Sequence, residues 1–559
     1  MICAGDSLAD GGQTEAEVAI VGAGPVGIAL AMRLLGRVGR ICLIEAGTDK
    51  FAPVESASYF RAAEVNDPRH MPTELYRRRM LGGTSTIWGG RCTAFDPEDF
   101  APAAGRSGWP ITYAQMQAHV AEALEFFDAG SAEYSASTVF PRHGIPPDPA
   151  GSDLVLDRIE RWSKPTDAWR KFGSVLGRSA DVTVIYGAAC VNIVTSDDGN
   201  RVSSLSLRTS SGRLHVIRAP TTVLACAGFE TPRLLLASRG QRSCGIGNEH
   251  DLVGRFYMAH LASDARNAGA IRFANPAQAL AFDFEKMRDG IYGRRVLLLS
   301  PAARKREGIG NIVFRPSRPP IDDAAHRDPV LSAMFLARSV LIPAEYMRSM
   351  AVNARVASLL TQTAHIGNVV RGIPKLGGFG IDWMRRRVFA RRKLPAVFLY
   401  RKDGSYPLEF NAEHRPNRDS RVRLGDEVDP FGVPRLIVEW RMGEDEIEGI
   451  GRAYRLLAAA VAQSGLGEVL LDADLHAGIE RTLVAQGGVH IGTARMGDDA
   501  RSGVVDGNGE VWGTRGLFVA GTATFVSSGF ASPTLTAVAL AFRLGDHLIA
   551  RQSGRPAVG

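Results

Sequence analysis

Residues Val18 to Glu45 constrain the fold more than any other stretch. A short apolar run, VAIV, meets GAGPVG from Gly22 to Gly27, continues as the helix-like IALAMRLLG, and returns in a second apolar run, ICLIE, that ends at Glu45. Strand, glycine turn, helix and strand, closing on an acid 23 residues after the first glycine, describe a parallel βαβ unit and an α/β sheet built around it. Each glycine has a task. Gly22 makes the tight turn, Gly24 lets the backbone approach a pyrophosphate, and Gly27 lets the helix pack closely on the strand. The phosphates of a dinucleotide would then sit at the helix N-terminus, where free amides and the helix dipole favour negative charge. Glu45 would accept hydrogen bonds from ribose hydroxyls and repel a 2'-phosphate.

At 559 residues the chain exceeds one simple core, which implies several domains or a large interleaved pair. Its composition, 45% hydrophobic and 22% charged, is that of a globular protein. No apolar run reaches the roughly 18 to 20 residues that cross a bilayer. The start, MICAGDSLADGGQTEAE, lacks the basic and apolar segments of a secretory signal, and residues 1–16 are expected to form a disordered leader. Six widely spaced cysteines show neither metal-clip nor redox-dithiol spacing, so no metal is expected and a reducing cytoplasm is. The net charge of +7 has a local source, since Arg385, Arg386, Arg387, Arg391, Arg392 and Lys393 lie within nine residues. A solvated basic face, an acidic partner, an anionic membrane surface met peripherally, or a charged substrate would each account for it. Nucleic acid is excluded as a partner because no recognition motif accompanies the charge.

Further along, LGGTSTIWGG from Leu81 places Gly83, Thr84, Trp88 and Gly89 in a loop whose backbone can lie against a flat or anionic ligand. SGWPITYAQMQAHVAEALEFF reads as a turn followed by an amphipathic helix, and about 130 to 180 is turn-rich. Strand character returns in VTVIYGAACVNIVT, which carries Val191, then in VSSLSLRT and LHVIRAPTTVLACAG. GFETPRLLLAS, from Gly228, reads as a helix capped by Thr231 with Pro232 at its first position. This return to nucleotide-type sheet implies a cofactor domain assembled from 17–95, 181–262 and 485–555, with 96–180 and 263–484 forming a substrate domain. In the latter, EYMRSMAVNARVASLLTQTAHIGNVVRGI reads as helix, and FLYRKDG, SRVRLGDE and RLIVEWR read as strands. The C-terminal part holds HIGTARMG from His490, a buried strand ending at Gly521 and Thr522, and a helix opening on Ser532-Pro533.

With these blocks in this order, the sequence resembles the glucose-methanol-choline (GMC) oxidoreductase family of FAD enzymes over nearly its whole length. Within that family it is most similar to bacterial sugar- or polyol-oxidising members and pyranose oxidases. The resemblance implies a Rossmann-like α/β FAD domain of the glutathione-reductase type, interleaved with an α+β substrate domain of antiparallel sheet and helices. It implies oxidation of an alcohol to an aldehyde or ketone by hydride transfer to flavin N5, with oxygen, a quinone or a protein carrier as final acceptor. A non-redox lyase on the same fold, or a flavoprotein of weakened catalysis acting as a binding module, are the alternatives.

FAD is expected to be non-covalent, because Ile87 stands where several members carry a flavin-linking His. His490 falls at the family's catalytic His, and an imidazole with an ordinary pKa of about 6.5 suits a general base. Ser532 replaces the second His or Asn of the family, and it is also a good helix cap. A bound water, Ser527, Ser528 or a substrate-domain residue would otherwise supply the second contact. The expected cofactor contacts are Gly22, Gly24, Gly27, Glu45, Gly83, Thr84, Trp88, Gly89, Val191, Gly228, Gly521, Thr522, Pro533 and Thr534. The amides of Thr534 and Leu535 would stabilise negative charge on the reduced flavin.

Overall fold

The computed structural model describes residues 1–103, 105–140, 151–263, 266–338 and 358–554. Its first layer is a parallel sheet in the order Ile2–Ala4, Val182–Tyr186, Ile41–Glu45, Val18–Val21, Thr221–Leu224, Leu517–Val519. Every residue of Val18–Val21 and Ile41–Glu45 is buried, as expected of parallel strands covered on both faces. The Pro25–Leu34 helix buries Ile28, Ala29, Leu30, Ala31 and Leu34, and lies beside the C-terminal helix Thr534–Gln552. Their approach is close enough that a Cβ on Gly545 would stand 2.6 Å from Cγ of Arg33, whose guanidinium grips Asp546 at 2.6 Å.

The expected leader is ordered instead. Ile2–Ala4 completes the edge of the parallel sheet, and Gly12–Glu15 adds a strand to the small sheet of Ala188–Thr195, Val202–Thr209 and Leu214–Arg218. An edge strand needs backbone pairing on one side only, so it forms with little apolar content. The expected domain limits also shift. Helices Val120–Phe126 and Ala168–Arg178 pack on the C-terminal helix and the Pro25–Leu34 helix, with Phe126 between Phe172 and Phe542, so much of 96–180 serves the cofactor domain's core.

The second core belongs to an eight-stranded sheet that includes Gly269–Phe273, Ile312–Pro316, Ser405–Ala412 and Gly467–Leu471. The helix Glu444–Gln463 covers it, seating Tyr454 against Phe314 and Phe410. Arg421–Val428 and Pro434–Glu439 pair as expected, whereas FLYRKDG is a turn. There Arg401 clasps Asp403 and Gly404 takes a φ of +63°, which delays the strand to Ser405. Residues 345–357 of the long expected helix lie outside the described residues. Its remainder is two helices, Leu359–Arg371 and Ile373–Trp383, broken at Gly372.

The GFETPRLLLAS helix starts at Ala227, so Thr231 and Pro232 are buried inside it rather than at its opening. Pro232 has no N–H to offer the carbonyl four residues back, at Gly228. Thr493, from the HIGT stretch, supplies the missing donor, its Oγ1 donating to Gly228 O at 2.5 Å. Two blocks 265 residues apart are thereby coupled by one hydrogen bond.

Candidate active site

The glycine turn and the C-terminal helix line one cavity. Its walls include Gly22, Gly24, Glu45, Gly83, Thr84 and Trp88, together with Gly521, Thr522, Pro533 and Thr534.

The glycines divide by surroundings. Gly22 has a φ of +107°, and a Cβ there would stand 2.5 Å from Ala225 O. On Gly27 a Cβ would stand 1.9 Å from Gly22 O, so this residue closes the turn from behind and faces no ligand. Gly24 is the opposite case, because a Cβ on it would meet nothing within 4 Å. The second Gly-rich loop sits on the first. Gly82 N–H donates to Ala23 O at 2.9 Å, and a Cβ on Gly83 would approach Gly24 Cα to 3.0 Å.

Glu45 is buried, and its two carboxylate oxygens accept from Ala23 N–H at 3.1 Å and Gly47 N–H at 2.8 Å. Burial pushes its pKa up to about 7 against those bonds and the nearby Arg79. The carboxylate therefore braces the glycine turn while lining the cavity. Trp88 is fixed by Nε1–H donation to Thr166 O at 3.0 Å and by contact with Phe127.

Several expected residues lie off the walls. Gly89 is one, and Val191 packs toward Tyr59, Ala189 and Phe431 while Ala188 and Cys190 take its place on the wall. Gly228 abuts the backbone of His490, leaving Cys226 and Ala227 to face the cavity. Ser532 is half-buried outside the wall, and its hydroxyl makes no hydrogen bond among the described residues. No side chain caps the C-terminal helix. Pro533 adopts helical angles ahead of Thr534, and its carbonyl accepts from Ala537.

Ser527 and Ser528 are engaged elsewhere: Ser527 Oγ bonds Trp109 Nε1 and Asp99 O, and Ser528 Oγ bonds His414 N and O. Both are fully buried and serve to hold the loop that leads into the helix.

His490 lies two residues beyond Gly488, which is on the wall, and is itself set behind it. Its ring stacks on Phe229 with centroids 3.8 Å apart, near Tyr257. Burial, with Arg77 and His70 nearby, holds its pKa well below the usual value, so the imidazole is neutral at neutral pH.

Sequence reading missed the run Arg77, Arg78, Arg79, all on the wall. Arg77 lies over Phe60 and pairs with Glu230 at 2.7 Å; Glu230 also pairs with Arg233, which reaches buried Asp429. Three arginines directly before a Gly-rich loop were the available signal. Their positive charge suits a polyanionic ligand.

A dinucleotide fits this lining on two observations: Gly24 leaves space where a side chain would intrude, and the first turns of two helices meet the cavity. The GMC oxidoreductase family model matches residues 416–541. The chain is 22% identical to 2-methyl-1,2-propanediol dehydrogenase of Mycolicibacterium austroafricanum, over 96% of each chain. It is also 22% identical to paromamine 6'-oxidase of Streptomyces fradiae, over 94% of this chain and 90% of that one. Among solved structures, an FAD-dependent oxidoreductase from Chaetomium thermophilum shares the fold with a TM-score of 0.54 at 16% identity, over 97% of this chain and 100% of that one. The chain thus carries the GMC oxidoreductase C-terminal region on an FAD-oxidoreductase fold, which supports FAD as its cofactor.

Proposed function

We propose that the protein oxidises a CH–OH group of a small polyhydroxylated substrate, a sugar, glycoside or polyol, to a ketone or aldehyde. The observation that carries this reading is one cavity lined by both the glycine turn and the start of the C-terminal helix. Relatives named for a diol dehydrogenase and an oxidase support the substrate class. Bound there, FAD supplies the hydride acceptor.

The chain's own residues supply binding and charge. Backbone at Gly22 and Gly24 and the opening of the Pro25–Leu34 helix hold phosphates, Arg77 to Arg79 add positive charge, and Glu45 takes the ribose. The free amides of Thr534 and Leu535, at the start of a 19-residue helix, stabilise negative charge developing opposite them. His490 takes the hydroxyl proton on its neutral imidazole in this reading, with Phe229 fixing the ring plane. Ser532, whose hydroxyl is uncommitted, is the second contact. Six free cysteines support a reducing cytoplasmic location.

The test is spectroscopic. The purified protein, reconstituted with FAD, is mixed without oxygen with panels of sugars, polyols, glycosides and simple alcohols. Bleaching of the flavin by members of one class is the expected result. A yellow protein that none of them bleaches would overturn the reading.

A further inference from the structure

The helix Leu359–Arg371 is turned inside out. His365 and Asn368 point inward and are buried, His365 Nδ1 bonding Ser332 Oγ at 3.0 Å and Asn368 Nδ2 donating to Ala324 O at 2.9 Å. Its apolar residues face solvent: Leu359 is 80% exposed, and Ile366 and Val370 follow seven and eleven residues on. A soluble surface helix has the reverse pattern. The face continues past Gly372 through Ile373 and Ile381 to Met384, Val388 and Phe389, with Ile381 at 68% and Phe389 at 79% exposed. Ile381, Met384, Arg385 and Val388 follow one another at intervals of three, one and three residues, so they share one side of the helix and the π-helical turn after it. Leu376 and Phe379, on the other side, pack on the small core of Ile321, Val330, Leu331 and Phe335.

Charge identifies what such a face meets. Residues 359–393 carry eight lysines and arginines against one acid, Asp382. That excess equals the +7 of the whole chain, so the rest of the protein is neutral in sum. Arg386, Arg387 and Arg392 are anchored to backbone carbonyls of Phe284, Leu394 and Asp128. Arg385, Arg391 and Lys393 are exposed and form no ion pair among the described residues. Apolar side chains rimmed by uncommitted cations match the acyl boundary and the anionic headgroups of a lipid surface. No described helix is long and apolar enough to cross a membrane, so the contact lies in the surface plane.

We propose that the outer face of residues 359–393 docks the enzyme on an anionic membrane. The proposal is independent of the alcohol-oxidation reading.

Sedimentation of the full-length FAD-loaded protein with vesicles tests it. Binding is expected to phosphatidylglycerol-containing vesicles, weakly or not at all to pure phosphatidylcholine, and to weaken as salt rises. Joint replacement Arg385→Gln, Arg391→Gln and Lys393→Gln should weaken binding about a hundredfold, near fivefold per charge. Ile381→Ser with Phe389→Ser should remove what remains, with melting temperature and flavin spectrum unchanged. Absence of vesicle binding, equal binding to both lipids, or binding untouched by either set of variants would overturn the proposal. So would a concentration-dependent dimer that Ile381→Ser and Phe389→Ser dissolve while vesicles stay unbound, since the face would then join two copies.

Discussion

Two glycines three residues apart should respond in opposite ways to the same added methyl group. At Gly27 a Cβ would lie 1.9 Å from Gly22 O and 3.1 Å from Gly22 C, backbone atoms that cannot give way without opening the turn. Gly27→Ala should therefore damage the cofactor-free protein, by about 3 kcal/mol, the upper end for overpacking a tight site. At Gly24 a Cβ meets no protein atom within 4 Å, so Gly24→Ala should leave the cofactor-free melting temperature where it was. The methyl would stand where a pyrophosphate must approach, displacing one or more charge-assisted backbone bonds worth about 1.5 to 3 kcal/mol each. FAD affinity should fall by roughly ten- to a hundredfold. Thermal melts of the deflavinated proteins measure the first effect, and FAD titration followed by fluorescence quenching measures the second. Gly24→Ala binding FAD like wild type would refute the placement of the phosphates, and an undamaged Gly27→Ala would refute the packing argument.

His490→Gln should slow anaerobic flavin reduction by about a hundredfold or more if the imidazole takes the proton; a rate close to wild type would remove it from the reaction. Its depressed pKa carries two consequences for pH. The free base persists in acid, so kcat/KM should show no acid limb near 6.5 but one at lower pH. As pH falls below 6.5 the unfolded chain takes up a proton that the folded chain refuses, and this group costs about 1.4 kcal/mol of stability per pH unit until its folded pKa is reached. The stability of His490→Gln should thus fall less steeply between pH 6.5 and 5, as measured by denaturant unfolding; an identical slope would contradict the depressed pKa. Thr493→Val keeps shape but orphans the buried Gly228 carbonyl beside Pro232, and should cost about 1 to 3 kcal/mol, read by the same unfolding curves.

What was legible in the sequence had short-range causes. The Gly22 to Glu45 unit, the LGGTSTIWGG loop and the C-terminal helix follow from local turn chemistry and periodicity, and each stands beside the cavity. Features that depend on distant partners were hidden. A helix starting at Ala227 and running through Pro232 is intelligible only with Thr493 in place. Arg77 to Arg79 carry no local motif, yet Glu230, Phe60 and the neighbourhood of Glu45 hold them on a cavity wall. An edge strand such as Ile2–Ala4 has almost no signature beyond the sheet it joins. Likewise, Ser532 was legible as a helix start, but Pro533 takes helical angles at the cap position and no side chain caps the helix. His490 was legible from its motif, whereas its stacking on Phe229 goes with the packing of Gly228 against its backbone.

If this cavity holds FAD where an alcohol's C–H bond is broken, flavin reduction depends on breaking that bond. The most direct measurement is the rate of anaerobic flavin bleaching by a bleaching alcohol and by the same alcohol deuterated at the carbinol carbon. Bleaching of the wild-type protein should be slower with the deuterated substrate. Bleaching at equal rates would contradict hydride transfer as the step that reduces the flavin, and a colourless protein that FAD cannot reconstitute would contradict the site itself.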